Sequence, residues 1–317
     1  MKSKFPFLTV VVPCYNEEEV LSETSSVLRS KLSSLIENSY INKQSKILFV
    51  DDGSSDSTWS LITKLNQSDR IFGGLQLSRN QGHQNALLAG LLEATEYSDC
   101  IISMDADLQD DINAIDGLIQ KYLEGFEVVY GVRNTRKNDS FLKKSTALFF
   151  YKLMLILGVN LKYNHADYRL LSKRALIALS EFKEVNLFLR GIVPLLGFDS
   201  ADVFYERKER FAGESKYPLK KMLGFAWEGI TSFSVVPLKM VTAFGFAISL
   251  LSLLSLFYVL ISKYFGNAIS GWSSIVVSIW FLGGVQLVAI GVVGEYIGKI
   301  YKEAKQRPKY FIKDKLN

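Results

Sequence analysis

The sequence predicts an α/β fold built on a mostly parallel sheet, and three observations lead there. Short apolar runs of strand length alternate with helical stretches over residues 7–132. Strands that alternate with helices of about 10–15 residues belong to parallel sheets covered on both faces. Several of these runs also end in polar residues, Asn16, Asp51, Asp52, Asp105 and Asp107, which places them together beyond the carboxyl ends of the strands. In such sheets that edge is where ligands bind.

The strand candidates are Leu8–Val12, Ile47–Val50, Gly74–Leu77, Cys100–Met104 and Glu127–Tyr130, with helices near 17–37, 57–67, 82–96 and 112–124. Residues 145–159 form an apolar run broken only by Lys152, too short to span a bilayer and expected as a buried or interfacial helix. Leu219, Met222, Leu223, Ala226, Ile230 and Phe233 share one helical face, with Lys220, Lys221 and Glu228 elsewhere on the wheel. That is the pattern of a helix lying in a membrane interface, or of one packed on a domain surface. Met240–Ser262 and Gly271–Gly294 are both uncharged, and each is long enough to cross about 30 Å of hydrocarbon as a helix. Lys216, Lys220, Lys221 and Lys239 precede the first span, whereas Lys299, Lys302, Lys305, Arg307 and Lys309 follow the second. The positive-inside rule then puts both flanks, and so both termini, in the cytosol. The expected location is the cell membrane, in multi-pass form.

Bulk properties agree. The 317 residues allow one large domain and an additional element, and 48% are hydrophobic, with the excess concentrated after residue 235. The formal charge of +5 is mild and sits next to the apolar segments, at 207–221 and 299–315. Membrane lipids, not nucleic acid, are the partners such placement favours. Cys14 and Cys100 lie at the ends of separate strands without metal or redox spacing, as small core residues of a reducing compartment do. The run Phe7–Val12 is too short for a signal-peptide core.

Asp105-Ala106-Asp107-Leu108-Gln109-Asp110 follows the apolar run Cys100–Ser103. Carboxylates two apart on a strand point the same way and can share one hard cation. Such a cation could take the diphosphate oxygens of a nucleotide-sugar as its remaining ligands. A strand followed by a plain acidic turn gives the same pattern, so the companion motifs decide. Tyr15 can stack on a base, and Asp52 can accept hydrogen bonds from a base or ribose. Asp-Asp-Gly-Ser is equally an ordinary strand-to-helix turn.

Val11-Val12-Pro13-Cys14-Tyr15-Asn16-Glu17-Glu18, Val50-Asp51-Asp52-Gly53-Ser54, Leu77-Ser78-Arg79-Asn80-Gln81-Gly82-His83 and the Asp105–Asp110 turn come in order, each ending a strand. Together they resemble the nucleotide-binding half of an inverting family-2 glycosyltransferase with the GT-A fold. Ala166-Asp167-Tyr168-Arg169-Leu170 and Arg207-x-x-Arg210-x-x-Gly213-x-Ser215-Lys216-Tyr217, followed by the two spans, narrow the resemblance. They look like polyprenyl-phosphate glycosyltransferases: bacterial undecaprenyl-phosphate glucosyltransferases and, more distantly, dolichyl-phosphate mannose synthases. The resemblance covers nearly the whole chain.

It implies a cytosolic GT-A domain over 1–215, a juxtamembrane amphipathic helix over 216–235, a two-helix transmembrane hairpin over 236–300 and a basic tail over 301–317. It further implies that Pro13, Tyr15, Glu17, Asp52, Asp105 and Ala106 bind the nucleotide-sugar. Asp105, Asp107 and Gln109 would hold Mg²⁺ or Mn²⁺, which suits an all-oxygen site with open positions. Arg133 is expected near the donor phosphates, and Arg207, Arg210 and Lys216 near the lipid phosphate. Asp167 occupies a position usually written Gly-Asp-Phe-Arg and would orient the sugar or act as a base. Ala166 and Tyr168 depart from that pattern. His83 is expected as a family-loop residue or a helix start.

The activity so implied is inverting transfer of a hexose to polyprenyl phosphate, undecaprenyl phosphate in bacteria, at the cytosolic face. UDP-glucose is the favoured donor, with UDP-N-acetylglucosamine and GDP-mannose as alternatives. A lipid monophosphate is already anionic near neutral pH, so its oxygen needs no general base, only cations to offset repulsion from the diphosphate. Self-association is compatible with this reading. The competing functions are a processive polysaccharide synthase and a non-catalytic membrane scaffold. The first lacks its Gln-x-x-Arg-Trp motif here; the second has no physical need for clustered, mutually repelling carboxylates.

Overall fold

The five apolar runs of the first half form strands where the sequence places them. The computed structural model describes residues 5–134, 165–184, 188–206, 231, 234–264 and 271–316. Its first strands are β1 (Leu8–Cys14), β2 (Lys46–Asp51), β3 (Phe72–Leu77), β4 (Cys100–Ser103) and β5 (Val128–Arg133), separated by α1 (Leu21–Glu37), α2 (Thr58–Ser68), α3 (His83–Thr95) and α4 (Ala114–Leu123). Val10, Val11, Val12, Ile47, Phe49, Ile101 and Ile102 have no exposed surface, because helices cover both sides of the sheet. Each such side chain contributes about 1.5–3 kcal/mol through burial. α1 turns Leu21, Leu28, Leu32 and Leu35 inward, one stripe of an amphipathic helix. Pro13 lies past Val11, the last β1 residue paired with β4, so its missing N–H breaks no bond to that neighbour.

Beyond β5 come β6 (His165–Ser172), α5 (Lys173–Ser180), α6 (Leu189–Leu195), β7 (Ser200–Tyr205), α7 (Val236–Tyr264), α8 (Trp272–Ala304) and β8 (Ile312–Leu316). The sheet order is β7-β5-β6-β4-β1-β2-β3-β8. Strands β1, β2, β3 and β4 pair in parallel, as do β5 and β7, but β6 runs antiparallel to both β4 and β5, and β8 runs antiparallel to β3. The sheet is therefore mixed, not parallel throughout.

Two elements differ from the sequence reading. Ala166–Leu170, absent from the strand candidates, lies within strand β6. Tyr168 and Leu170 join the core, and Asp167 and Arg169, two apart on the opposite face, are also buried and paired with each other. Two charges in five residues hide a strand whose charged face is satisfied internally. The basic tail is likewise not a plain tail. Its residues 312–316 pair with β3 in the register Gly74↔Leu316 and Gln76↔Asp314, and Lys315 forms an ion pair with Glu93. Charged side chains suit an edge strand, which explains why Ile-Lys-Asp-Lys-Leu reads as a solvated end.

The chain divides into two compact units. One comprises Met1–Ala147, Leu161–Tyr217 and Gln306–Asn317, the other Leu148–Asn160 and Pro218–Lys305. In the second unit, Tyr296 donates its hydroxyl hydrogen to the Ser234 carbonyl at 2.6 Å, and Lys299 Nζ donates to Thr231 Oγ1 at 2.5 Å. Among the described residues one helical segment, Phe281–Ala304, is long and apolar enough to cross a membrane; Val236–Ile248 is a shorter apolar stretch. The expected run at 145–159 and nearly all of the expected juxtamembrane helix lie outside the described residues.

Candidate active site

The loops after β1, β2 and β3 are cross-linked before any ligand enters. Asn16 donates its backbone N–H to Ser54 Oγ at 2.9 Å, and its side-chain oxygen accepts from the Ser55 N–H at 2.9 Å. The Glu17 N–H reaches Thr58 Oγ1 at 2.9 Å. Gly53 has φ +68°, and a Cβ there would lie 2.5 Å from the Arg79 carbonyl carbon, so only glycine lets the β2 turn touch the β3 loop. Asp52 completes the tie: its carboxylate accepts the N–H groups of Gln81 at 2.7 Å and Gly82 at 2.9 Å. Only 2% of Asp52 is exposed, and burial pushes its carboxyl upward against the pull of those two N–H groups. Asp52, expected to read the nucleotide, also holds the loop after β3. Tyr15 stands 47% exposed at the rim of this platform, its ring open to stacking. Pro13 is buried in β1 and Glu17 is half-buried beside Tyr15.

Past β4 the chain turns sharply, with Leu108 at φ 53° in the left-handed region. Such strain in a non-glycine residue is common where a turn must present functional groups. Ala106 is buried, and its carbonyl accepts from Thr24 Oγ1 at 2.7 Å, which anchors the turn to α1. Asp105 and Asp107 remain half-buried on either side of it. His83 Nε2 lies 3.0 Å from Asp105 Oδ1. Burial raises the Asp105 carboxyl, but the hydrogen bond and charge of His83 outweigh it and hold the group below the usual carboxylate range. Asp107 Oδ1 accepts the Gln109 N–H at 3.2 Å, and Gln109 itself is 7% exposed.

Asp167 on β6 is a hub. It pairs with Arg169, which is 1% exposed, and with Arg190 of α6 at 3.0 Å, and accepts from Gln84 Nε2 at 3.3 Å. Burial would raise its carboxyl, yet the two guanidinium groups hold it far below the ordinary range. A carboxylate so anchored keeps its negative charge. Arg190 feels the charge of Asp105 as well as that of Asp167, and its side chain is 40% exposed. Arg190 and Gln84 escaped the sequence reading. Their signal was weak: one arginine in the otherwise buried stripe Leu189, Ile192 and Val193, and one glutamine beside a histidine.

Arg133, expected near the donor phosphates, is anchored at the end of β5. Its guanidinium donates to Asp110 Oδ1 at 3.1 Å and to the Tyr205 hydroxyl at 3.2 Å. Arg207, Arg210 and Lys216 lie outside the described residues. A cavity of about 640 Å³ opens at the other end of the sheet, among Lys46, Glu93, Tyr97 and Lys315, and none of the motif residues lines it.

Among the described residues, no three His, Cys, Asp or Glu side chains are grouped to hold a metal. What the turn offers is the carboxylate pair Asp105 and Asp107 with Gln109 nearby. Mg²⁺ and Mn²⁺ sites that serve phosphates commonly use one or two protein carboxylates and leave other positions to phosphate and water, so the donor set fits such an ion.

Residues 9–180 match the profile of Glycosyl transferase family 2. The chain is 57% identical over 312 residues to the "uncharacterized glycosyltransferase YkoT" of Bacillus subtilis, covering 98% of this chain and 93% of that protein. It is 41% identical to the "prophage bactoprenol glucosyl transferase homolog" of Escherichia coli, covering 96% and 98%, and to the "bactoprenol glucosyl transferase" of Shigella phage SfV, covering 97% and 98%. Among solved structures, glucosyl-3-phosphoglycerate synthase from Mycobacterium tuberculosis, crystallised with Mn²⁺ and UDP-glucose, is similar at TM-score 0.44 and 18% identity, covering 71% and 78%. The profile match spans more than half the chain, and the strand ends it includes carry the carboxylates described above. The chain belongs to glycosyl transferase family 2.

Proposed function

We propose that this chain transfers glucose from UDP-glucose to a polyprenyl phosphate at the cytosolic membrane face, with inversion and with Mg²⁺ or Mn²⁺ bound at Asp105 and Asp107. The observation that carries the reading is the half-buried Asp105–Asp107 pair past the end of β4, with the exposed Tyr15 past the end of the neighbouring β1. The near-full-length similarity to bactoprenol glucosyl transferases supports the acceptor.

In this reading Tyr15 stacks on the base, while Asp52 holds the loop that walls the nucleotide. A phosphate oxygen of the lipid attacks the anomeric carbon from the face opposite the leaving group. The bond from that carbon to the β-phosphate oxygen breaks, and UDP departs with the electron pair. The metal's chemistry is to neutralise charge on the departing diphosphate. Arg190, within electrostatic reach of Asp105, adds a fixed cation to the site. No proton needs removal, which accords with Asp167 being locked between arginines. Arg207, Arg210 and Lys216 hold the acceptor phosphate.

Chain connectivity supports two membrane crossings. β8 pairs with β3, so residues on both sides of α7 and α8 belong to one unit. One crossing would leave β8 on the wrong side of the bilayer, whereas α7 and α8, with 29 and 33 residues, are each long enough for a return pass. Cysteines introduced as Ala268→Cys and Lys313→Cys should label from opposite faces; labelling from one face refutes the hairpin.

The deciding experiment incubates detergent-purified full-length protein with undecaprenyl phosphate and a panel of nucleotide-sugars, with the lipid product identified by mass. A hexosyl-lipid from UDP-glucose is expected, lost in EDTA and restored by Mg²⁺ or Mn²⁺. Undiminished transfer in chelator would remove the metal from the proposal.

A further inference from the structure

Asp110 and Tyr205 have no role in the reaction as proposed, yet with Arg133 they form a closed polar cluster beside the aspartate turn. The Tyr205 hydroxyl donates to Asp110 Oδ1 at 2.5 Å, and the same oxygen accepts from Arg133 Nη2 at 3.1 Å. Arg133 Nε also donates to the Tyr205 oxygen at 3.2 Å. Backbone pairing reinforces the cluster. Arg133 and Tyr205 are register partners at the ends of β5 and β7, and the Asn134 N–H donates to the Tyr205 carbonyl at 2.9 Å. A second tyrosine grips the next residue of the turn: Tyr168 donates to the Asp111 carbonyl at 3.1 Å, and its ring meets that of Tyr205 edge-on with centroids 5.3 Å apart.

We propose that Tyr205, Asp110 and Arg133 form a positioning latch that fixes the end of β7 against the aspartate turn and so sets the register of the acceptor phosphate relative to the donor's reacting carbon. The inference rests on the reading that Arg207, Arg210 and Lys216 bind the acceptor. Arg207 follows Tyr205 by two residues, a reach of about 7 Å at most, and Asp107 precedes Asp110 by three, about 10 Å. The latch therefore sits between the roots of the acceptor-binding and donor-binding groups and joins them. Packing alone does not explain its chemistry. Tyr205 is 3% exposed and would fill the same core space as phenylalanine, whereas the hydroxyl and the carboxylate have each been desolvated to meet. The return on that cost is a directional tie between two loops that must agree to a fraction of an ångström, since misplacement of about 1 Å can lower a rate about 100-fold.

Tyr205→Phe removes the hydroxyl and keeps the ring, and Asp110→Asn keeps the shape and removes the charge. In full-length protein the latch predicts a kcat for lipid transfer about tenfold lower in either variant, with more UDP-glucose hydrolysed per transfer. Calorimetric affinity for UDP-glucose with Mn²⁺ should stay within about twofold of wild type, because donor contacts are untouched. An unchanged kcat, or donor affinity falling in step with kcat, overturns the latch. Amide exchange at residues 107–110 provides an arm that needs no lipid: it should quicken in Tyr205→Phe, and unaltered exchange also overturns the proposal. Wild-type protein that makes no lipid-linked sugar refutes the acceptor reading and with it the register role, while the exchange result still decides whether the tie exists.

Discussion

Asp51 ends β2 with Asp52 just past it, and Asp105 and Asp107 lie just past β4, on the other side of β1. As sequence the two acidic pairs look alike, each closing an apolar run. In the fold they are opposites. Asp51 is fully buried, accepting from the Ser54 N–H at 3.2 Å and from Gln76 Nε2 at 3.1 Å, and both Asp52 oxygens are taken by backbone N–H groups. The β4 pair stays half-buried, and among the described residues the Asp105 carboxylate forms its ion pair with His83. Asp51 and Asp52 were each absorbed where they landed, whereas Asp105 and Asp107 lie past the end of β4 in a turn that keeps both partly exposed. A ligand can reach an acidic pair that stays partly exposed, and not one that the fold has buried.

The largest effect should come from a third acid, closed by ion pairs instead of backbone. Asp167→Ala strands the buried Arg169 and should destabilise the protein by about 3–5 kcal/mol in denaturant unfolding. A variant of near-native stability would mean that burial does not separate the structural acids from the catalytic ones. Asp107→Ala comes next. It should cost at least about 100-fold in kcat, near 2.7 kcal/mol, with the unfolding midpoint hardly moved. Asp52→Ala should behave inversely, leaving two N–H groups without their acceptor and destabilising by about 1–3 kcal/mol. If Asp52→Ala instead abolished activity at unchanged stability, the contrast between the pairs would collapse. The smallest effect belongs to the rim. Tyr15→Leu should weaken donor binding about tenfold by calorimetry, near 1.4 kcal/mol, and Tyr15→Phe should change it little, because stacking uses the ring and not the hydroxyl.

The first half of the fold was legible because its signals are local. Strands β1 to β5 follow from apolar runs, and the turn after β4 follows from Asp-x-Asp at a strand end. β6 was missed because Asp167 and Arg169 break the apolar pattern, and their mutual pairing cannot be seen without the strand that aligns them. β8 was missed for the converse reason, since an edge strand is allowed to look like a charged tail. Asp105 and Asp107 were legible as a pair, but His83 as the partner of Asp105 was not. His83 opens α3 and meets Asp105 only because the β3 loop folds back over the end of β4.

By itself the sequence determined the order and type of the elements through β5, the acidic turn after β4, the exposed aromatic after β1 and the apolar length of the last helices. These depend on what each residue prefers and on spacing within a few residues. Only the tertiary structure decided which acids are closed, where Arg133 goes, that β6 inserts between β4 and β5, and that the chain end returns to β3. Those outcomes are choices of partner across long separations. Tyr205 meets Asp110 from 95 residues away, and Lys315 meets Glu93 from 222. A buried polar group takes whichever partner the sheet order brings within about 3 Å, and that order is set by the packing of the whole domain.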